Sequence, residues 1–317
     1  MTVDSPASTA TIADLNVFPL SLGGNVFGWT ADRDASFAVL DAFSAAGGNL
    51  VDTADGYSSW VPGNAGGESE TIIGEWMAAR GNRDRVVVAT KVSQHPQFRG
   101  LAPDNVRAAA EASLKRLGTD RIDVYYAHFD DADVPLADTV GAFSQLVDDG
   151  LVRAVGISNY SAERIDEWFR VTEEGGFHRA IALQPEYNLV ERGFEDALQA
   201  RAEKYGLGVF PYFALASGFL TGKYRSSDDR DASPRGGRAV GYLDDRGQRV
   251  LRALDEVAAA HGASVTSVAL AWLRSQPTVV APIASARTVE QLPDLLASAT
   301  LQLTAEELRA LTAASER

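Results

Sequence analysis

The sequence contains no cysteine, which excludes disulfide bonds, thiolate metal ligands and a cysteine nucleophile. A chain without cysteine is suited to a reducing compartment. Residues 1–13 lack the basic patch and following apolar run of a secretory signal. No apolar stretch is long enough to span a bilayer. We therefore expect a soluble, cytoplasmic protein.

Basic residues are also in deficit. The 317-residue chain has 29 Lys and Arg against 43 Asp and Glu, a net charge of −14. This balance disfavours nucleic acid and anionic membranes as partners, so we expect a small-molecule substrate. Hydrophobic residues make up 45% of the chain, enough for a large core, and no stretch resembles a linker. We expect residues 1–317 to form a single domain, and the sequence leaves its oligomeric state open.

Short apolar strands alternate with amphipathic helices along the chain. Strands are predicted at residues 20–23, 49–52, 86–91, 122–128, 153–158, 181–184, 208–212 and 278–283. Helices are predicted from residues 34 and 161, around 72–76, and over 103–117, 136–149, 194–205, 247–261, 264–276, 288–298 and 304–315. Eight strand–helix units in this length predict the α/β class and a (β/α)8 TIM barrel. The pattern adds extra helices and a long polar loop, residues 213–246, after the seventh strand.

Polar residues stand where the predicted strands end, which in such barrels is where the chemistry lies. Lys91, one of only four lysines, ends a buried strand, and a buried ammonium needs a carboxylate such as that of Asp52. A phenol beside that ammonium should have its pKa lowered, which would make Tyr57 a usable proton donor. His128 could hydrogen-bond a substrate oxygen. Each residue alone could be structural, but their order and spacing together favour catalysis.

These residues belong to motifs that resemble those of the aldo-keto reductase superfamily, over essentially the whole chain. The segment Asp52-Thr-Ala-Asp-Gly-Tyr57 is similar to the family's Asp–Tyr signature. Lys91 in Val-Ala-Thr-Lys and His128 in Asp-Val-Tyr-Tyr-Ala-His are similar to its catalytic Lys and His. Gly156-Ile-Ser-Asn-Tyr160 and Gln184-Pro-Glu-Tyr-Asn188 resemble its cofactor-amide segments. Several independent motifs in the family's order make the resemblance specific.

The resemblance implies a bacterial-type reductase that converts aldehyde or ketone carbonyls of small molecules to alcohols with NADPH. Hydride would come from the nicotinamide and the proton from Tyr57. Asp52 and Lys91 would tune that tyrosine, and His128 would orient the carbonyl. The protein would contribute positioning and electrostatics.

The chain has no GxGxxG motif between a strand and a helix, which disfavours a Rossmann nucleotide domain. The resemblance implies an NADP cofactor that lies extended across the barrel mouth. The resemblance assigns Gly23, Gly24, Asn25 and Asp52 to the nicotinamide region, Ser158, Asn159 and Gln184 to the carboxamide, Tyr212 to ring stacking, Phe213, Leu215, Ser217, Gly218, Leu220 and Lys223 to the pyrophosphate, and Ile283, Ser285, Arg287 and Gln291 to the adenosine 2′-phosphate. An Arg beside a helix start suits that phosphate and favours NADPH over NADH. Leu295 departs from the family, which commonly has Asn there.

Aromatic residues in loops after strand ends, Phe27, Trp29, Trp60 and Phe129, are candidates for an apolar substrate pocket. The leading alternative function is an NADP-binding regulatory or redox-sensing protein with little turnover, as in the potassium-channel β subunits that share this fold. A metal-dependent hydrolase is disfavoured because there is no His-x-His pair, and we predict no metal. A short-chain dehydrogenase is disfavoured because there is no Tyr-x-x-x-Lys pair.

Overall fold

A computed structural model describes residues 9–316, apart from the side chain at position 232. Residues 1–8 lie outside the described residues. They make up most of residues 1–13, for which we expected no secretory signal. In chain order the strands are β1 (Ala10–Ile12), β2 (Leu15–Val17), β3 (Ser21–Gly23), β4 (Leu50–Asp52), β5 (Val87–Val92), β6 (Gln94–His95), β7 (Phe98–Arg99), β8 (Ile122–Ala127), β9 (Val152–Ser158), β10 (Ala180–Gln184), β11 (Gly208–Val209) and β12 (Ile283–Ala284).

The α-helices surround the strands. They are α1 (Arg33–Ala45), α2 (Glu68–Arg80), α3 (Pro103–Leu117), α4 (Leu136–Asp148), α5 (Ala162–Gly175), α6 (Phe194–Tyr205), α7 (Gly236–Ala239), α8 (Asp245–His261), α9 (Val265–Arg274), α10 (Leu292–Ala297) and α11 (Ala305–Ala314). Short 3-10 helices occupy Arg83–Arg85, Ala216–Thr221, Ser227–Ala232, Val240–Tyr242 and Val289–Gln291.

Eight strands form one sheet in the order β11-β10-β9-β8-β5-β4-β3-β12, and every pair is parallel. A parallel bridge between Val209 and Val279 joins the two ends of this order, so the sheet closes on itself. Helices follow the strands on the outside. The predicted (β/α)8 barrel is therefore confirmed, and the carboxyl ends of its strands meet at one mouth.

The last two barrel strands are shorter than predicted. Regular pairing covers only Gly208–Val209 of the expected 208–212, and Ile283–Ala284 in place of 278–283. Each segment contains a proline, Pro211 or Pro282, which has no N–H to donate to a strand ladder. Isolated hydrogen bonds remain, such as that from the Ile283 N–H to the Pro211 carbonyl oxygen at 2.9 Å. The chain therefore follows the barrel wall there without regular strand pairing.

The segment 213–246 is folded, which corrects the expectation of a long polar loop. Three 3-10 helices and α7 lie within it. Ser226 begins one of them with a capping box, in which its side chain accepts from Asp228 and the Asp229 carboxylate accepts in return. Phe219, Leu220, Tyr224 and Ala239 anchor the segment as fully buried side chains. These apolar residues are spaced irregularly along a polar stretch, so no periodic pattern marks them in the sequence.

The opposite end of the barrel is closed by a hairpin that the sequence analysis did not predict. Strands β1 and β2 pair antiparallel, with Ala10 opposite Val17. Ile12, Leu15 and Val17 are buried in a cluster with inward-facing strand residues such as Val124. A three-residue strand gives too short an alternation to recognise. The hairpin shields the barrel floor from solvent.

Local sequence signals explain most helix ends. The Ser161 side chain accepts a hydrogen bond from the Arg164 N–H at the start of α5, and Gly176 ends that helix with φ 64°. Ile165 and Trp168 turn toward the core. Across the described span, 9–316, no helix combines the length and apolar character needed to cross a membrane.

Two glycines within helices should respond in opposite ways to substitution by alanine. A Cβ at Gly74 in α2 would lie 2.5 Å from the Arg116 carbonyl oxygen, whereas at Gly141 in α4 the nearest atom is 3.5 Å away. We expect Gly74→Ala to lower the free energy of unfolding by about 1–3 kcal/mol through overpacking. Gly141→Ala should raise it by up to about 1 kcal/mol, since alanine favours helix. Urea unfolding of both variants measures this, and equal effects would contradict the packing of α2 on α3.

Candidate active site

A cavity of about 670 Å³ opens at the carboxyl ends of the barrel strands. Most residues that the sequence analysis assigned to catalysis, cofactor or substrate line it: Gly23, Asn25, Trp29, Asp52, Tyr57, Trp60, His128, Phe129, Asn159, Gln184, Tyr212, Phe213, Leu215, Ser217, Gly218, Lys223, Ile283, Ser285, Arg287 and Gln291. The segment 213–246 covers one side. The fold thus brings residues that are distant in sequence to one mouth.

Five assigned residues lie behind the cavity wall rather than in it. They are Gly24, Phe27, Lys91, Ser158 and Leu220. Phe27 is fully buried in the main core, so its side chain does not extend the aromatic pocket expected from sequence. Its loop turns back on itself, with the Phe27 N–H bonded to the Gly24 carbonyl oxygen at 3.0 Å. Lys91 and Ser158 act on the cavity only through the residues they bond.

Asp52, Lys91 and Tyr57 form one hydrogen-bonded chain. Strands β4 and β5 are neighbours, with Asp52 opposite Ala89, so Lys91 lies two residues further along the adjacent strand. The Lys91 ammonium, 0% exposed, donates to Asp52 Oδ2 at 2.7 Å, the Thr53 carbonyl oxygen at 2.7 Å and Tyr57 Oη at 3.1 Å. An ammonium has three hydrogens to donate, so all are used. The Tyr57 hydroxyl receives one of them, and its own hydrogen is left to point into the cavity.

Burial raises the pKa of the Tyr57 phenol more than the neighbouring Lys91 lowers it, and the Asp52 charge raises it further. The lowered pKa expected from sequence is therefore wrong. The main reason is that burial removes the phenol from water, and the negative charge of Asp52 further offsets the effect of Lys91. Burial acts to lower the pKa of Lys91, because it disfavours the charged ammonium. Asp52 and Tyr57 outweigh this effect and keep the Lys91 pKa above its ordinary value. At neutral pH the lysine is charged and the tyrosine carries its proton.

His128 lies beside Tyr57, with ring centroids 6.3 Å apart. Burial, followed by the charge of Lys91, holds the pKa of His128 well below its usual range. The imidazole is therefore neutral at pH 7, with one N–H donor. Its Nδ1 has no hydrogen-bond partner among the described residues. A neutral imidazole suits the binding of an uncharged oxygen atom.

A second network joins the next three strand ends. Gln184 Nε2 donates to Asp52 Oδ1 at 2.8 Å, which fixes the carboxylate from the side opposite Lys91. Ser158 Oγ donates to the Gln184 carbonyl oxygen at 2.8 Å. Tyr212 Oη donates to Asn159 Oδ1 at 2.7 Å, and Asn159 Nδ2 donates to the His128 carbonyl oxygen at 2.9 Å. These bonds hold the wall rigidly around Tyr57.

Three cationic side chains line the cavity: Lys223, Arg235 and Arg287. The Arg235 guanidinium lies over the Trp29 ring, 5.3 Å from its centroid. Within residues 9–316, none of them forms an ion pair with a carboxylate. Burial, and next the positive charge of Arg287, lower the pKa of Arg235. Arg235 was not predicted, because it is one of several arginines in the segment 213–246 and nothing in the sequence marks which one turns inward. Clustered, unpaired cations indicate a place for a polyanion.

At the adenine end of the expected cofactor site, hydrogen bonds connect the predicted residues, and Leu295 adds an apolar surface. Gln291 Oε1 accepts from the Arg287 N–H at 2.8 Å, and Ser285 Oγ donates to Asn25 Oδ1 at 2.7 Å. Leu295, the residue that departs from the family pattern, lines the cavity while 3% exposed. It offers an apolar surface where an amide side chain would offer hydrogen bonds.

An aromatic rim surrounds the Tyr57 end of the mouth. The Trp29 and Trp60 rings are 5.6 Å apart, and the Tyr57 and Trp60 rings 6.3 Å apart, both edge to face. The Phe129 ring packs on the His128 ring, with centroids 4.9 Å apart. Trp60 and Phe129 are 52% and 41% exposed, unusual for large apolar side chains. In the part of the chain that the structure covers, no group of three or more His, Cys, Asp or Glu side chains could hold a metal ion.

The sequence matches the Aldo/keto reductase family over residues 19–316, and the chain belongs to that family. It is 32% identical over 321 residues to norsolorinic acid reductase B of Aspergillus parasiticus, covering 96% of this chain and 82% of that protein. It is 30% identical over 332 residues to protein tas of Escherichia coli, covering 95% of each. It is 32% identical over 327 residues to aryl-alcohol dehydrogenase [NADP(+)] of Phanerodontia chrysosporium, covering 94% and 82%.

Family membership confirms the resemblance seen in the motifs. The protein is an oxidoreductase that works with a nicotinamide cofactor on the carbonyl or alcohol groups of small molecules. Neither the metal-dependent hydrolase nor the short-chain dehydrogenase considered above remains a candidate.

The buried pair predicts that Lys91 stabilises the fold. We expect Lys91→Met to lower the free energy of unfolding by about 3–5 kcal/mol, because Asp52 would be left buried without its cation. The double variant Lys91→Met with Asp52→Asn should lose less, since no uncompensated charge remains. Urea unfolding of the wild type, Lys91→Met, Asp52→Asn and the double variant tests this. Additive losses would show that the two side chains do not act as a pair.

Proposed function

We propose that the protein reduces aldehyde or ketone carbonyl groups of small, largely apolar molecules with NADPH, with Tyr57 as the proton donor. The supporting observation is the direction of the hydrogen bond between Lys91 and Tyr57. Lysine donates to the phenol oxygen, so the phenol hydrogen is available to an acceptor in the cavity. We also propose that residues 1–317 form a single barrel domain and that the protein works in the cytoplasm.

The cavity fits an extended, polyanionic dinucleotide. Lys223 and Arg235 would hold the pyrophosphate, and Arg287 with Ser285 the adenosine 2′-phosphate. Asn159 and Gln184 would hold the carboxamide, and Tyr212 would stack on the nicotinamide. The third cation strengthens the case for a cofactor with an extra phosphate. When bound, NADPH supplies the hydride.

Proton delivery falls to the chain's own residues. Tyr57 Oη is fixed by Lys91, which is fixed in turn by Asp52 and Gln184. His128 is neutral, and its N–H would bind the carbonyl oxygen and hold it near Tyr57. As negative charge develops on that oxygen, the Tyr57 proton moves to it and the Lys91 ammonium stabilises the phenolate left behind.

The aromatic rim suggests the substrate class. Trp29, Trp60 and Phe129 line the same cavity as Tyr57, and the Trp60 ring centroid lies 6.3 Å from that of Tyr57. One relative is named for its action on aryl alcohols. We therefore propose aryl aldehydes and ketones as the first compounds to test.

Tyr57→Phe should abolish the proposed reaction while preserving cofactor binding. Loss of the phenol proton is expected to lower kcat by about 10²–10⁴-fold, the usual contribution of general acid catalysis. The measurement is NADPH oxidation with a panel of aryl aldehydes, ketones and dicarbonyls, alongside NADPH affinity by fluorescence quenching.

Tyr160→Phe is the matched control. Tyr160 is buried near the same end of the barrel, and its hydroxyl has no partner in the described chain, so its removal should leave kcat near the wild-type value. Full activity in Tyr57→Phe would refute the proton-donor role. Tight NADPH binding by the wild type without turnover of any compound would instead favour the regulatory alternative.

Arg287→Leu should discriminate NADPH from NADH. Loss of a charge-assisted contact worth about 1.5–3 kcal/mol is expected to raise KM for NADPH roughly 10- to 100-fold and to change KM for NADH little. The control is Arg225→Leu, which removes a cation that pairs with Asp255 outside the cavity. Initial rates with each cofactor measure the ratio, and an equal change for NADH would show that Arg287 does not bind the extra phosphate.

A further inference from the structure

Asp55 is a buried carboxyl group that the proposed mechanism does not use. Its side chain is 0% exposed, and neither Oδ1 nor Oδ2 has a hydrogen-bond partner in the described chain. A buried carboxylate in that condition would be strongly destabilising, because a charge taken out of water needs partners. Such a group is retained only in the neutral form or for a functional reason.

Asp55 lies on the short turn that carries Tyr57. Its own N–H donates to the Lys91 carbonyl oxygen at 3.1 Å, and the Tyr57 N–H donates to the Ala54 carbonyl oxygen at 3.2 Å. Between them, Gly56 packs so tightly that a Cβ there would lie 3.1 Å from the Gln94 backbone. The turn has little freedom, so a change at the Asp55 side chain must be felt at Tyr57.

The charges around Asp55 are already committed to other partners. The Glu70 carboxylate accepts from Thr90 Oγ1 at 2.6 Å and from Arg116 Nε at 2.6 Å. Lys91 is used by Asp52 and Tyr57. Within residues 9–316, neither of these nearby cations is therefore left unpaired for Asp55, whereas Glu70 adds a nearby negative charge.

Two further titratable groups face this region, and neither supplies positive charge. The Tyr125 hydroxyl is buried without a partner among residues 9–316, and burial holds its pKa well above the ordinary value. Burial and Arg116 lower the pKa of His95, so that imidazole is neutral at pH 7. Burial, and next Glu70, raise the pKa of Asp55 to about 8. Arg116, the Gly56 N–H, which lies near the carboxyl group without a hydrogen bond of normal geometry, and Lys91 oppose them only in part.

We propose that Asp55 is a positioning residue for Tyr57, that it does this as a neutral carboxylic acid, and that its ionisation in mildly alkaline solution displaces the Tyr57 turn. The consequence for turnover rests on the function proposed above. Activity should then fall at a pH well below that at which Tyr57 itself loses its proton, because the Tyr57 pKa lies above its ordinary value.

The proposal fixes how stability depends on pH. In the unfolded chain Asp55 titrates near 3.8, and in the folded protein near 8. Between these values the folded state holds one more proton than the unfolded state, so the contribution of Asp55 to stability is full below the lower value and is lost as pH rises to the upper one. Asp55→Asn cannot titrate, and its amide resembles the neutral acid in shape.

The first experiment measures urea unfolding of the full chain, wild type and Asp55→Asn, from about pH 5 to pH 9. The unfolding constant of the wild type, divided by that of Asp55→Asn, should rise about tenfold per pH unit up to pH 8 and then level off. The control is Asp123→Asn, since Asp123 is equally buried but paired with Arg83 at 2.8 Å and Arg153 at 3.3 Å. The ratio of the unfolding constants of the wild type and Asp123→Asn should not change over this range. A pH-independent ratio for Asp55→Asn would overturn the proposal.

The second experiment measures kcat against pH with NADPH and an aryl aldehyde. The wild type should lose activity through an apparent pKa near 8, and Asp55→Asn should keep its activity beyond that pH. Asp55→Ala, which empties the space, should have a lower kcat at every pH. Coincident wild-type and Asp55→Asn profiles would overturn the positioning role. If neither turns over any carbonyl, the proposed function fails, while the unfolding experiment still decides whether Asp55 is neutral.

Discussion

The buried ion pair between Lys91 and Asp52 is the constraint on which the mouth of the barrel depends. An ammonium that is wholly removed from water is tolerated only if every hydrogen has an acceptor, and here all three do. Two of these acceptors, Asp52 Oδ2 and the Thr53 carbonyl oxygen, come from the end of β4 and the residue after it, and the third is Tyr57 Oη in the turn that follows. The position and hydrogen-bond direction of Tyr57 therefore follow from the need to satisfy one charge.

The same pair shows why a catalytic motif cannot be interpreted one neighbour at a time. Beside an isolated ammonium a phenol becomes more acidic, but Tyr57 meets an ammonium already compensated by Asp52 and an environment without water. Desolvation then dominates, and the phenol keeps its proton. His128 responds to the same surroundings in the opposite direction and stays neutral. Burial thus prepares a proton donor and an uncharged hydrogen-bonding group side by side.

Charge is distributed unevenly between surface and cavity. A chain with a net charge of −14 nevertheless turns Lys223, Arg235 and Arg287 into one cavity without carboxylate partners in the described chain. Acidic surfaces around a positive cavity would weaken non-specific binding of polyanions, while the cavity itself attracts one that fits. Asp55, behind the turn, is the opposite case: a lone acid among groups that are paired with each other.

Sequence alone determined the barrel, the order of its units and most residues of its mouth, because strand and helix periodicity and polar strand ends are local signals. Asp52, Lys91, His128 and Gln184 could be found in this way. The tertiary structure decided what depends on burial and on distant neighbours. It turned Arg235 inward and Phe27 into the core, folded the segment 213–246 on apolar anchors without periodic spacing, and shortened the last strands at Pro211 and Pro282. It also determined the protonation state of Tyr57. A pKa depends on how much water is excluded from a group and on which charges surround it, and the neighbouring residues in the sequence specify neither.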